Sequence, residues 1–232
     1  MLNSTIQLKI KQRLNKLDSQ DYDNLECWHI VEAFNKAQVE WCRRQLHGFN
    51  QFKEGDEQSN RRIDDLQILL TSANLILTDK ENYSFGLIPA DYFQWKRITV
   101  HAKNECCPTK RMVVYLVEEG NLDIILKDTN KGQSFEWGET VATLRDGKLF
   151  VYTNEEFEVT KGDFIYYRQP RRIQITGCVD PYTGITSTTD VTSEFKDDVV
   201  EVMIDEAASI LAGDMEIFTQ YQREQQRVEQ NN

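Results

Sequence analysis

The chain has 232 residues, five cysteines, 40% hydrophobic residues and a formal net charge of −11. This length and apolar content fit one or two folded domains and exclude global disorder. The charge argues against general nucleic-acid binding, and residues 190–232 hold eleven Asp/Glu against three Lys/Arg, which leaves a net charge of −3 for the other 189 residues.

The cysteines indicate synthesis in a reducing compartment. Their number is odd and their spacing contains no CxxC pair. We therefore expect reduced thiols and a cytosolic site of synthesis. The start of the chain lacks an apolar core of signal-peptide length, and no run approaches the ~20 apolar residues of a membrane helix. We expect neither signal-directed export nor membrane insertion.

The N-terminal part, residues 1–80, is predicted to be helical. Apolar residues at helical spacing define one face of a first helix: Ile6, Ile10, Leu14 and Leu17. A longer second helix is predicted over residues 22–46, with Gly48 as its C-terminal stop. The polar segment 49–62 is predicted to be a loop.

Residues 81–190 are predicted to be rich in antiparallel strands. The segments RMVVYLVEE, LDIILKD, KLFVYTN, EFEVT, DFIYYRQ and RRIQITG are β-branched or aromatic and are bounded by turn residues. Residues 191–232 are predicted to form C-terminal helices and a tail, with Thr192 or Ser193 as the cap and Glu194 in the first turn. The fold class is therefore α+β: an N-terminal helical hairpin and C-terminal helices, packed together as one domain, with a strand-rich middle region.

Motifs for phosphate binding, zinc ligation and acyl transfer are absent from the sequence. Cys27 and His29 lie two residues apart on a helix, about 200° around its axis, so they cannot chelate one ion from the same face. We predict no catalytic residue, metal or cofactor, and no enzymatic activity. The alternative is an intracellular enzyme without a recognisable motif, which needs a pocket where separated polar residues converge with perturbed pKa values; an enclosed pocket that holds His101 with an acid would favour it, and a solvent-facing or core His101 would weigh against it.

Trp, Tyr and Arg dominate the energetics of many protein–protein interfaces. The candidate interface residues are Arg43, Arg44, Tyr92, Trp95, Trp137, Tyr167, Arg168, Arg171, Arg172, Phe218 and Tyr221. We hypothesise that an arginine-rich edge of one subunit pairs with the acidic C-terminal helix of another. The alternative for the aromatic residues is packing within a sheet core.

Several segments together resemble the head-to-tail connector proteins (adaptor or ring proteins) of tailed bacteriophages, and in particular virion ring proteins of crAss-like phages. These segments are LECWHIVEAFNKAQVEWCRRQL, FGLIPADYFQWKRITV, FIYYRQPRRIQITG, TSEFKDDVVEVMIDEAASILAGD and the ending QREQQRVEQNN. The resemblance covers most of the chain and rests on pattern instead of a catalytic motif.

The resemblance implies a virion structural protein made in the host bacterial cytoplasm. Such a protein forms an oligomeric ring, usually of twelve copies, that joins the portal to the tail and lines or surrounds the DNA channel. Its partners are further copies of itself, the portal protein and neighbouring tail or ring proteins, while genomic DNA only passes through. The alternative within a virion is a tail-hub, sheath-like or cargo protein.

Overall fold

The computed structural model describes residues 1–14, 25–48, 64–105, 107–215, 222 and 225–229. The principal helices are α1 (Asn3–Arg13), α2 (Cys27–His47), α3 (Leu122–Lys127) and α4 (Asp197–Asp214). The strands are β1 (Leu70–Ile76), β2 (Thr78–Asp79), β3 (Tyr83–Leu87), β4 (Tyr92–Asn104), β5 (Cys107–Leu116), β6 (Glu139–Arg145), β7 (Lys148–Tyr152) and β8 (Glu158–Arg168). This arrangement confirms the predicted α+β class.

The chain divides into two compact units. The first consists of Met1–Ile68 and Pro170–Asn232, and the second of Leu69–Gln169. These limits differ from the predicted divisions after residues 80 and 190. The first limit moves because β1 is hydrogen-bonded to β8, and the second moves because the segment after β8 packs on helix α2.

Helix α2 is bounded by local hydrogen bonds at both ends. Before it, the Glu26 backbone N–H donates to His29 Nδ1 at 3.2 Å. After it, Gly48 adopts a left-handed conformation with φ of 74°, and its N–H donates to the Arg44 carbonyl. This geometry favours glycine, which has no Cβ to clash, and confirms the predicted stop. The predicted start at residue 22, Leu17 and the loop 49–62 lie outside the described residues.

Helix α4 packs against both α1 and α2 in the first unit. Its buried face meets buried residues of α1 such as Ile6 and Ile10, which occupy the predicted apolar stripe. The apolar residues that α4 buries are Val199, Val200, Met203, Ile204, Ala207, Ala208, Leu211 and Ala212. The helices from the two parts of the chain therefore share one core.

Helix α4 begins at Asp197, later than the predicted cap at Thr192 or Ser193. The Ser193 hydroxyl donates to Gln38 Oε1 at 3.1 Å, and Glu194 accepts a hydrogen bond from the backbone N–H of Arg171 at 2.9 Å. Both side chains thus bind other parts of the first unit and are not available to start the helix, which corrects the prediction.

The second unit is an eight-stranded sheet with the order β1-β8-β4-β5-β6-β7-β3-β2. The first and last strands of this order are separated in sequence by Leu77 alone, whose N–H donates to the Thr160 carbonyl at 3.0 Å. One continuous segment therefore pairs with β8 through β1 and with β3 through β2, which closes the sheet on itself. The core inside is apolar and includes Ile98, Val100, Met112, Leu149, Val151 and Phe164.

The strand pairs are antiparallel as predicted except one, because β5 and β6 run parallel. Parallel neighbours require a crossover connection, and here it contains α3. The segment LDIILKD, predicted as a strand, therefore forms this short helix. The segment RRIQITG is also not a regular strand; among the described residues it forms one isolated bridge, between Gln174 and Val191.

Buried amide side chains hold the RRIQITG segment on α2. Asn35 Oδ1 accepts the Ile173 N–H at 2.8 Å, and Asn35 Nδ2 donates to the Ile173 carbonyl at 3.3 Å. Gln38 Nε2 donates to Asn35 Oδ1 at 3.1 Å. A helix side chain thus satisfies backbone groups that a neighbouring strand would otherwise satisfy.

We expect Asn35→Ala to lower the free energy of unfolding by about 2 kcal/mol, because it leaves the buried N–H and carbonyl of Ile173 without their partner. Urea denaturation followed by circular dichroism measures this change. Lys36→Ala, at the exposed neighbouring position, is the control and should stay within about 0.5 kcal/mol of the parent. Equal effects of the two substitutions would contradict a stabilising role for the Asn35–Ile173 hydrogen bonds.

Candidate functional site

Two of the segments that carry the resemblance lie side by side in the sheet. Tyr92, in FGLIPADYFQWKRITV, pairs with Arg168, in FIYYRQPRRIQITG. The Tyr166 hydroxyl donates to Asp91 Oδ1 at 2.8 Å, and the Gln169 N–H donates to the Asp91 carbonyl at 2.7 Å. Burial and this hydrogen bond raise the pKa of Tyr166 to about 12, so the hydroxyl remains a donor. These segments form a structural corner.

The aromatic residues at this corner are divided between core and surface. The Tyr92 ring packs 5.6 Å from that of Phe164, and its hydroxyl accepts the Trp95 N–H at 3.1 Å. Tyr92 therefore supports the sheet core, whereas the Trp95 side chain is partly exposed. Tyr167 is 1% exposed, which corrects its assignment to an accessible subunit interface.

Acidic residues of α4 pair with basic residues of α1. Lys9 contacts Glu201, and Arg13 Nε lies 2.6 Å from Asp205 Oδ1. Arg13 Nη2 also lies 3.4 Å from Glu201 Oε2. These charges of the C-terminal helix are paired within one chain, so they do not depend on an arginine-rich edge of another subunit.

Arg44 of α2 contacts the Glu206 carboxyl of α4, which is buried. Burial raises the pKa of Glu206 to about 8, although the Arg44 guanidinium opposes this shift; a hydrogen bond with Glu40 adds to it. The predicted interface residue Arg44 thus has its partner within the chain.

The remaining candidate interface residues differ in accessibility. Arg43, Arg171 and Arg172 are exposed, Arg168 is half-buried, and the Trp137 side chain is 80% exposed. Phe218 and Tyr221 lie outside the described residues. Trp137 is therefore the most accessible of the aromatic candidates that the structure describes.

Cys27 and Cys178 form a disulfide, with 5.8 Å between their Cα atoms. This bond corrects the expectation of reduced thiols, and 151 residues separate its partners in sequence. Cysteine spacing therefore gave no signal for it. Cys42 is buried, and burial raises the pKa of its thiol, so it matches the inert behaviour expected of a core cysteine.

The disulfide anchors a hairpin, defined here as residues 178–187, to the first residue of α2. The hairpin is closed by the Ser187 N–H, which donates to the Cys178 carbonyl at 2.8 Å. Beyond the anchor it exposes the apolar side chains of Val179, Tyr182 and Ile185. A cleft of about 220 Å³ lies between this segment and α2.

Asp180 gives the hairpin a negative charge. The Tyr182 backbone N–H donates to Asp180 Oδ1 at 2.8 Å and lowers the pKa of that carboxyl. The hairpin therefore combines an ionised acid with exposed apolar side chains, of which Tyr182 is 79% exposed.

A second exposed surface, the outer face, lies on the side of the sheet opposite its core. Its members are Ile76 on β1, Lys161 on β8, His101 on β4, Arg111, Val113 and Tyr115 on β5, and Trp137 just before β6. The Val113 N–H donates to the Gly138 carbonyl at 2.9 Å, which places Trp137 beside β5. This surface combines aromatic, aliphatic and basic side chains.

His101 lies on this outer face, where its side chain is 41% exposed. Its Nε2 atom is 3.4 Å from Asp163 Oδ2, and Arg111 Nη2 donates to Thr99 Oγ1 at 3.2 Å. His101 is therefore solvent-facing and does not lie in the enclosed pocket that would favour the enzyme alternative.

No protein-family model matches the chain, and no curated protein shows significant similarity to it. Among the described residues, no helix has the length and apolar character needed to cross a membrane. We therefore infer function from the surfaces themselves.

We expect the stability of the first unit to fall as pH rises from about 4.5 to about 8. The unfolded Glu206 carboxyl loses its proton near 4.5 and the folded one near 8, so the folded state holds one more proton between these values. Glu206→Gln should flatten this slope in urea denaturations across the range. Asp214→Asn, an exposed carboxyl on the same helix, should retain it; an unchanged slope in Glu206→Gln would exclude Glu206 as its source.

We expect reduction of the Cys27–Cys178 bond to lower the free energy of unfolding by about 2–5 kcal/mol, because the crosslink restricts the unfolded chain. Thermal unfolding with and without a phosphine reductant measures the effect. The Cys27→Ser, Cys178→Ser double variant should not respond to reductant, whereas Cys107→Ser, at an exposed position, should respond like the parent. If reductant leaves the thermal unfolding of the parent protein unchanged, the disulfide does not stabilise the fold.

Proposed function

We propose that this chain is a non-enzymatic virion subunit that forms a ring at the head-to-tail connector of a tailed bacteriophage. It joins the portal to the tail and surrounds the DNA channel, in the manner of the crAss-like phage ring proteins that its sequence resembles. A dodecamer is the expected form.

The observation that carries this proposal is the presence of two different exposed surfaces. The hairpin presents apolar side chains with an acid, and the outer face presents aromatic and aliphatic side chains with bases. A closed ring uses heterologous contacts, in which one surface of a subunit meets a different surface of the next. Large exposed apolar groups are typical of interaction sites.

The contacts between acids of α4 and bases of α1 and α2 also support the proposal. Because Glu201 and Asp205 contact bases of their own chain, and burial raises the pKa of Glu206 to about 8, the helices form a stable support that needs no partner to neutralise these acids. The overall acidic charge keeps DNA phosphates from binding firmly, as a channel through which a duplex slides requires.

Cryo-electron microscopy of phage particles, reconstructed without imposed symmetry at the head–tail junction, tests the proposal. We expect density for this chain in a twelve-fold ring against the portal. Density in the tail hub or inside the capsid would support the tail-hub or cargo alternative instead, and absence of the chain from purified particles would overturn a virion role.

We expect Tyr182→Asp together with Ile185→Asp to lower the amount of this chain in particles at least fivefold, because the charged hairpin no longer packs against an apolar partner. Quantitative mass spectrometry of particles complemented with each variant provides the measurement. Leu87→Asp introduces a charge at an exposed leucine outside both surfaces and is the matched control. If the hairpin variant enters particles at the wild-type level, the hairpin has no role in assembly.

A further inference from the structure

The outer face holds a row of basic side chains that are direct neighbours across three strands. His101 on β4 pairs with Lys161 on β8 and with Arg111 on β5. Like charges directly opposite one another destabilise a sheet, and Asp163 is the carboxylate that approaches His101. Lys161 and Arg111 lie on either side of His101, so an acidic group placed over this row would face two cations.

Exposed apolar side chains flank the basic row. Ile76 pairs with Lys161 at one end and is 84% exposed. At the other end, Val113 and Tyr115 lie on β5 with Arg111, and Trp137 lies beside that strand. A complementary partner must therefore combine at least one acid with apolar groups on both sides of it.

The hairpin has this composition within ten residues. Its ionised Asp180 lies next to Val179 and close to Tyr182 and Ile185, all of which are exposed. We propose that the hairpin of one copy of this chain docks on the outer face of a second copy. Asp180 meets the row of Lys161, His101 and Arg111, while the hairpin's apolar side chains cover those on either side.

This contact rests on the proposed ring and identifies the two surfaces that meet in it. A ten-residue element is small beside the about 20–30 residues per side of a stable interface. The isolated contact is therefore weak, and it is stabilised when ring closure or a docking platform makes it effectively intramolecular. Opposite charges also orient the two copies as they approach each other.

Site-specific photo-crosslinking tests the contact. The photoreactive amino acid p-benzoylphenylalanine replaces Tyr182 in full-length chain, and ¹⁵N-labelled and unlabelled chains are mixed at high concentration. Mass spectrometry then distinguishes crosslinks between copies from those within one copy. We expect mixed-label crosslinks to residues 111–115 and 137–139; the same photoreactive group at Leu87 should give none there.

Exchanging the two charges tests the proposed pairing of Asp180 with Arg111. The first variant changes only the outer face and leaves the hairpin unaltered. We expect Arg111→Glu to lower the mixed-label crosslink yield at least fivefold at low salt, and the added Asp180→Arg substitution to restore it to within twofold. Lys131→Glu, an exposed charge reversal elsewhere on the second unit, should leave the yield unchanged. Equal yields for Arg111→Glu and Lys131→Glu would overturn the charge pairing.

The same photoreactive chain, incorporated into particles, separates this contact from the proposed function. Crosslinks from residue 182 to another surface in a connector ring would overturn the contact and leave the ring intact. Crosslinks to the outer face in solution, with no chain in particles, would support the self-contact and overturn the virion role. No crosslink to the outer face in either preparation would overturn the contact.

Discussion

The pairing between acids of α4 and bases of α1 and α2 is the interaction on which the first unit depends. Lys9 and Arg13 pair with the carboxylates of Glu201 and Asp205, and Arg44 contacts the buried Glu206 carboxyl, whose pKa is raised to about 8. Asp205 and Glu206 are buried, so removing Arg13 or Arg44 would leave a buried acid without its partner and would destabilise the packing of the helices. With the helices fixed, the amides of Asn35 and Gln38 hold the segment after β8 against α2.

The two exposed surfaces are each positioned by the unit that carries them. The disulfide holds the base of the hairpin at the start of α2, so its apolar side chains are presented from a defined position. In the second unit, closure of the sheet buries one side of β4, β5 and β8 and leaves the other side as the outer face. Two of the segments quoted for the resemblance support the sheet, because the Tyr166 hydroxyl of one donates to the Asp91 carboxyl of the other.

The sequence predicted those features that depend on residues close together in the chain. Gly48 ends α2 because its left-handed conformation favours glycine, and the α+β class follows from the positions of helical and alternating patterns. Distant pairing was not predictable in this way: Cys27 and Cys178 are far apart in sequence, and the partner of Arg44 lies on the last long helix. The LDIILKD segment has a β-type composition, but the crossover between parallel β5 and β6 makes it helical.

The division of the chain imposes an order on its folding during synthesis. The closed sheet is complete once residue 169 has left the ribosome, whereas the helical unit needs α4, some 200 residues after α1. At roughly 5–20 residues per second, Ile6 and Ile10 wait about 10–40 s for the helix that buries them. During that interval an apolar stripe is accessible to chaperones and to other nascent chains, and contacts between parts of a chain so distant in sequence form more slowly than local ones.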